Sequence, residues 1–450
     1  MSEFNPNPAR GKEVFDLDRS YVFHSWSAQA QISPLPVATG QGSYFWDFEG
    51  KKYLDFSCQL VFTNIGFQHP KVVDAIKRQA DLLTTVAPQM ANEARGEAAR
   101  RIVELASPHH KKVFFTNGGA DGIENAIRMA RLHTNRHKIL SFYRSYHGNT
   151  SAAISATGDP RRWPNEFAYG HVHFFGPYSY RSAFWSSNEE EECKRALEHL
   201  ESVITFEGPH TIAAILIESV VGTAGVLIPP RGYLEGVRAL CDKYGILWIA
   251  DEVMSGFGRT GKWFAYQHST AHPDLIVFAK GVNSGYVPLG GVIISDEIAA
   301  TFNDRVFPGG LTYSGHPLAT AAAVATIDVM AEEKIVENAA DMGERVIKPL
   351  LEELMAKHKV IGEIRGRGTF WALDLVKDRQ TREPLAPYGG TSPAMSELVA
   401  ACKKLGLMPF TNYNRMHICP PCNVSEAELR EGFAILDQAF TAIAGHYTGK

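Results

Sequence analysis

The chain has 450 residues, of which 45% are hydrophobic and 21% charged, and its formal net charge is −4. These proportions are those of a globular chain with a large core, long enough for two or three domains, and they give no reason to expect a nucleic-acid partner. No run reaches the length of a membrane span, the polar and proline-bearing start is unlike a signal peptide, and six scattered cysteines do not make a disulfide framework, so we expect a cytoplasmic protein with no membrane attachment.

Residues 1–20 read as a flexible lead with a short helix. Phe23 and Trp26 are candidates for the rim of a site, although core packing is the simpler expectation for aromatics. Residues 44–56 read as a hairpin, two strand-like runs about Glu49-Gly50. Cys58 to Gly66 is an apolar loop, followed by helices at about 70–83 and 91–106. His109-His110 beside Lys111-Lys112 is most simply a solvated turn.

From Val113 the pattern alternates. Strand-like runs at 113–116, 139–143, 171–175, 212–218, 246–251, 275–278 and 291–295 are separated by helical patterns or loops. Such alternation predicts an α/β domain with a mostly parallel seven-stranded sheet. The insert at 178–192 is polar and aromatic, and its pattern assigns it no role. An alanine-rich helix follows at about 317–330, then a helix at 338–358, strands at 361–365 and 369–375, a loop at 377–391, a helix at 393–405, a strand around 416–419 and a last helix at 426–443. Cys419-Pro420-Pro421-Cys422 has redox spacing without the strand-then-helix setting that such motifs use.

Four short stretches carry the chemistry. Leu275-Ile276-Val277-Phe278 is a buried-strand pattern, and Lys280 comes just after it. A lysine drawn out of water is easier to deprotonate, and a neutral amine can attack an aldehyde to form a Schiff base. Ile246-Leu247-Trp248-Ile249-Ala250-Asp251 ends in a carboxylate, which should be paired there. A pyridinium N–H is a suitable partner, because a carboxylate beside it keeps the ring protonated and electron-withdrawing. Phe114-Phe115-Thr116-Asn117-Gly118-Gly119-Ala120-Asp121 reads as strand, glycine turn and helix start, a setting that binds phosphate. Ser145-Tyr146-His147-Gly148 follows another apolar run and offers an aromatic for stacking on a planar group. Motifs at the carboxyl ends of several strands converge on one crevice in such a sheet.

With these residues in this order, the chain resembles the class III aminotransferases, which bind pyridoxal 5′-phosphate (PLP) on the type I fold. The resemblance runs from about Ser43 to about Ile435. Its most specific parts are Trp248-Ile249-Ala250-Asp251-Glu252-Val253, Gly256-Phe257-Gly258-Arg259-Thr260-Gly261, Ala279-Lys280-Gly281 and Thr312-Tyr313-Ser314-Gly315-His316-Pro317. In detail it looks most like the ω-transaminases, which pair amines or ω-amino acids with pyruvate.

The resemblance implies a large PLP-binding domain at 69–325, and a smaller α+β domain built from 1–68 and 326–450. It implies that Lys280 holds PLP and moves the substrate's proton, and that Asp251 pairs with the ring nitrogen. Val253 and Tyr146 would pack on opposite ring faces, with Gly119 and Ala120 at the phosphate. Ala120 stands where many relatives carry serine, which predicts more reliance on Thr312. Thr312 would come from the neighbouring subunit, so the site would be complete only in a homodimer, with a tetramer as the alternative. Glu218 and His147 would lie beside the cofactor, His147 orienting its neighbours. Leu60, Val61, Tyr146 and Thr223 would wall the pocket for small-molecule amines and keto acids.

Arg415 sits in a polar loop, Asn412-Tyr413-Asn414-Arg415, feeding a short strand. By resemblance it is a mobile arginine that grips a substrate carboxylate and swings out to water for a carboxylate-free amine. Another PLP enzyme on the same scaffold, with a different donor or acceptor, or an aminomutase or decarboxylase, would use Asp251 and Lys280 equally well. The lone glycine pairs Gly40-Gln41-Gly42 and Gly366-Arg367-Gly368 lack a full dinucleotide fingerprint, which leaves a nucleotide-binding protein the weaker alternative.

Overall fold

A computed structural model describes residues 4–449. Its centre is a seven-stranded sheet in the order His110–Thr116, Gly290–Ser295, Leu275–Phe278, Leu247–Asp251, Ile212–Glu218, Lys138–Phe142, His171–Phe174. Gly290–Ser295 runs antiparallel to both of its neighbours, and the pairings from Leu275–Phe278 to His171–Phe174 are parallel. Every residue of Ile212–Glu218 and of Leu275–Phe278 is buried. Continuous apolar strands of this kind fit a sheet with helices on both faces. The helix Gly119–Thr134 packs against several of these strands, and the alanine-rich helix Pro317–Glu332 packs on Pro70–Leu82 and Glu93–Leu105.

A second apolar cluster joins the two ends of the chain. Leu54 and Phe56 pack there with Leu373, Leu407, Met416, Phe433 and Phe440. The hairpin strand Lys52–Asp55 also pairs in parallel with Leu407–Met408. A further antiparallel sheet runs Ile361–Arg367, Phe370–Asp378, Arg415–Ile418, Phe410–Asn412.

Several local expectations change. The helix expected at 338–358 is three pieces: Ile335–Met342, a π-helical turn Gly343–Ile347, and Lys348–Lys357. Pro349 explains the break, because its ring has no N–H and would press on the carbonyl of Arg345 in a regular helix. Val37–Gln41, Leu407–Met408 and Phe410–Asn412 are strands that the sequence pattern does not announce, and Glu383–Pro384 forms a short strand inside the expected loop. Residues 8–21 form a full helix, Pro8–Tyr21, capped by the Asn7 side chain. His110 is not in a solvated turn: it is buried with Nδ1 2.9 Å from Ser107 Oγ, and burial depresses its pKa to about 4.

Two groups of contacts tie the central sheet to the C-terminal sheet. In the insert, Tyr178 Oη donates to Asp374 Oδ2 at 2.9 Å and Arg181 Nη2 donates to Asp374 Oδ1 at 2.7 Å, which gives that stretch a bridging role. Arg259 is fully buried, donating to Asn64 Oδ1 at 2.8 Å and to Thr369 Oγ1 at 3.2 Å, and also to the Pro420 carbonyl.

Candidate active site

The parallel strands end on one side of the sheet, where a cleft of about 870 Å³ opens. Its walls include Gly118, Gly119 and Ala120 from the first strand-to-helix turn, and Tyr146 and His147 from the loop after Lys138–Phe142. Glu218, Asp251 with Val253, and Lys280 follow the next three parallel strands.

Glu218 and Asp251 are paired in register on neighbouring strands. Asp251 is buried, and its Oδ1 accepts the Val253 N–H at 3.0 Å while its Oδ2 lies 2.7 Å from His147 Nδ1. A proton on His147 Nδ1 points at this carboxylate, which can accept it, while Nε2 is buried and meets no partner among the described residues. Glu218 is also buried. It accepts the N–H groups of Tyr146 at 3.1 Å and Gly222 at 2.8 Å. Burial, followed by the neighbouring Asp251 charge, pushes its pKa up to about 7. Glu252, next to Asp251, turns away from the cleft and holds the following loop by accepting the N–H groups of Ala265 at 2.9 Å and Tyr266 at 2.8 Å.

Lys280 has a left-handed backbone, φ +47°, which an L side chain adopts at a cost and which clusters at functional sites. Burial lowers its pKa below the usual lysine range, Asp251 and Glu218 oppose that shift, and Arg161 adds to it. The chain can make this turn because residue 281 is glycine: a Cβ there would collide with Asn64 Nδ2. Asn283 braces the loop beyond, its Nδ2 donating to the Val287 carbonyl at 2.6 Å.

Gly118 is the extended residue before the helix Gly119–Thr134, and the first N–H groups of that helix have no partner within it. Gly119 is needed for closeness, since a Cβ on it would stand 2.9 Å from Val253 Cγ2. The cleft therefore offers an anion cradle, a carboxylate, an aromatic face, an aliphatic face and an easily deprotonated amine. That set suits a planar ring bearing a phosphate, a protonated nitrogen and an aldehyde.

Of the expected substrate walls, Leu60, Tyr146 and Thr223 line the cleft, and Thr223 is held there by Asn412 Nδ2, which donates to its carbonyl at 2.9 Å. Val61 does not line it. Cys58, Gln59 and Val61 all have positive φ, so the short turn Cys58–Val61 leaves Leu60 47% exposed and drives Val61, 1% exposed, among Val220, Phe370 and Cys419.

Arg415 packs against the wall residue Tyr413, its guanidinium carbon 5.1 Å from that ring's centroid. It begins the strand Arg415–Ile418, in register with Asp374, and is 6% exposed. Its Nη1 donates to the Ala224 carbonyl, and it is absent from the cleft walls among the described residues. Thr312 is exposed and outside this chain's cleft. Trp26 lines the cleft, while Phe23 is exposed elsewhere, so neither is a core residue.

Arg161, Phe410 and Tyr413 also face the cleft, and sequence reasoning missed them. Asp159-Pro160-Arg161-Arg162 reads only as a polar turn, with nothing to mark which arginine looks inward.

Comparisons with known proteins agree on one family. The profile of the family "Aminotransferase class-III" matches residues 26–440. The taurine–pyruvate aminotransferase of Bilophila wadsworthia is 33% identical over 453 residues, covering 96% of this chain and 97% of that one. Among solved structures, the taurine:2-oxoglutarate aminotransferase from Bifidobacterium kashiwanohense, in complex with PLP and glutamate, is 45% identical with a TM-score of 0.94, covering 99% and 100% of the two chains. A thermostable (S)-enantioselective ω-transaminase from Thermomicrobium roseum is 36% identical with a TM-score of 0.90, covering 98% and 100%.

Proposed function

Since the chain belongs to the class-III aminotransferases, enzymes that work through PLP, we propose that it moves an amino group from an amine or ω-amino acid to pyruvate, giving alanine. The observation that carries this reading is the meeting of Lys280, Asp251, Glu218 and the Gly119 helix start in one cleft. When bound, PLP supplies an aldehyde and an electron-withdrawing pyridinium ring. Asp251 then holds a proton at the ring nitrogen, and His147 holds Asp251 in line. Tyr146 and Val253 bound the ring faces. The N–H groups of Gly119 and Ala120 bind the phosphate. Lys280 Nζ would hold the cofactor's aldehyde and, once displaced by the incoming amine, would be free to take the proton from the amine-bearing carbon of the substrate. Leu60, Tyr146 and Thr223 shape the donor pocket.

Thr312 is exposed on this chain, which supports its donation to a neighbouring subunit's phosphate site in a homodimer. The contacts joining Leu54 and Phe56 to C-terminal residues support a small domain of 1–68 with 326–450, set against a large domain of 69–325. Amine-dependent formation of alanine from pyruvate tests the function, and a visible band lost on Lys280→Ala tests the cofactor site. A second reading, 2-oxoglutarate as acceptor, is favoured by the 45%-identical taurine:2-oxoglutarate enzyme. Running both keto acids side by side with taurine, β-alanine and 1-phenylethylamine decides between them.

A further inference from the structure

The loop Gly222-Thr223-Ala224-Gly225 comes shortly after the strand Ile212–Glu218, and each of its four carbonyls is held by a side chain from outside the loop. His417 Nε2 lies 3.1 Å from the Gly222 oxygen, and Asn412 Nδ2 donates to the Thr223 oxygen at 2.9 Å. Arg415 Nη1 donates to the Ala224 oxygen, and Arg365 Nε donates to the Gly225 oxygen at 2.6 Å. The four side chains come from three strands of the C-terminal sheet. Both arginines reach the loop because residue 225 is glycine, with φ +103°: a Cβ there would stand 2.5 Å from Arg365 Nη2 and 2.6 Å from Arg415 Cδ. His417 is fully buried. Burial, with Arg415 and Arg365 adding to it and the Gly222 contact opposing it, depresses its pKa to about 3. The ring is therefore neutral, and since a carbonyl only accepts, its one proton sits on Nε2. On its other side the loop meets the site. The Gly222 N–H donates to Glu218 Oε2 at 2.8 Å, and Thr223 is a wall of the cleft. Phe410, another wall, stacks on the His417 ring with centroids 4.4 Å apart.

We propose that His417 and Asn412 are positioning residues of the amine pocket: through the loop carbonyls they fix the Thr223 wall and the Glu218 carboxylate, with Arg415 and Arg365 as the outer anchors. A loop with two glycines has little stiffness of its own. A buried carbonyl deprived of its donor is costly, so each of the four contacts opposes displacement of the loop. The C-terminal sheet thus carries one part of the cleft wall, Phe410, and holds the loop that carries another, Thr223. The same loop reaches Glu218. The Gly222 N–H favours the charged form of that carboxyl, as do His147, the Tyr146 N–H and Lys280, while Asp251 opposes it. Loosening the loop weakens one contact on the charged side and leaves the others in place.

The inference rests on the aminotransferase reading, and the test separates the two. Holoenzymes of wild type, His417→Leu, His417→Gln and Asn412→Ala are assayed with 1-phenylethylamine and 1-phenylpropylamine, which differ by one methylene. The ratio of kcat/KM for the larger donor over the smaller is expected to rise about fivefold in His417→Leu and Asn412→Ala, since a methylene against a fixed wall is worth about tenfold or more. His417→Gln can keep an N–H on the Gly222 carbonyl, and its ratio should stay within about twofold of wild type. A merely structural role lowers both rates together and leaves the ratio alone. The second arm uses cofactor-free protein: wild type and His417→Leu are each compared with their Glu218→Gln derivatives by urea unfolding from about pH 5 to 9. In wild type the gain from Glu218→Gln levels off near pH 7. In His417→Leu it should level off about half a pH unit higher or more, because the folded carboxyl is raised further above its unfolded value. An unmoved ratio in Asn412→Ala or in a folded His417→Leu, a Gln ratio as shifted as that of Leu, or an unmoved Glu218 titration overturns the proposal. Should His417→Leu fail to fold, the Asn412→Ala ratio decides. If the wild type transfers no amino group, the aminotransferase reading fails, and the Glu218 titration still decides whether the loop is held as proposed.

Discussion

Nδ1 of His147 lies 2.7 Å from Oδ2 of Asp251, and both side chains are shielded from water. His147 follows a different strand from Asp251, so the aspartate is clamped from outside its own strand while Oδ1 is held by the Val253 N–H at 3.0 Å. Both oxygens are therefore oriented before any ligand arrives. Asp251→Ala is expected to lower kcat by two orders of magnitude or more, about 2.7 kcal/mol of barrier. His147→Ala should cost less, because the carboxylate remains. A steady-state kcat within about twofold of wild type for Asp251→Ala would remove its proposed role.

Lys280 comes just after the neighbouring strand, Leu275–Phe278, and its amine is eased toward the neutral form by burial. Lys280→Ala should fold with a melting temperature near that of wild type in the absence of cofactor, yet show no sustained alanine formation. Multiple turnovers in that variant would be fatal to the assignment.

The two carboxylates in register, Glu218 and Asp251, predict a pH effect on stability. Glu218 has a folded-state pKa raised to about 7, above the usual glutamate value near 4.5. Its contribution is fully present below the unfolded pKa and is lost as pH rises through the folded one. In cofactor-free protein, Glu218→Gln should therefore gain stability relative to wild type between about pH 5 and 7, with little further change above. Urea unfolding of both proteins across that range checks it, and parallel curves would contradict it.

Leu60 and Val61 are adjacent in sequence but do different work. Val61→Ala removes two buried carbons, and at about 0.8 kcal/mol each plus a cavity term it should cost about 2 kcal/mol of stability while leaving donor preference alone. Leu60→Ala should do the reverse, changing relative rates among bulky amines with little change in melting temperature. Swapped phenotypes would mean that the loop is read backwards.

Arg415 is expected to act as a structural residue. Arg415→Ala removes a buried guanidinium and leaves the Ala224 carbonyl without its donor. Lower thermal stability should accompany similar losses on acids and on 1-phenylethylamine. A loss selective for acids would return Arg415 to the substrate site.

Much of the architecture was legible because it depends on local pattern. Buried parallel strands read as short unbroken apolar runs, and Asp251 and Lys280 stand out as polar groups placed just beyond them. A parallel sheet brings strand ends to one side, so their convergence follows once the alternation is seen. What sequence could not supply was direction and register. Three positive-φ residues decide that Leu60 faces the cleft and Val61 the core, and no residue type announces that turn. Arg415 looks like a loop arginine until pairing with Phe370–Asp378 buries it, while Arg161 looks like one turn residue among several until Asp159 and the Tyr146 ring fix it at the cleft. The sequence by itself determined the fold class and the chemical groups at the strand ends, because hydrophobic periodicity is local. Only the tertiary structure decided which of two arginines lines the cleft, because that depends on partners drawn from distant parts of the chain.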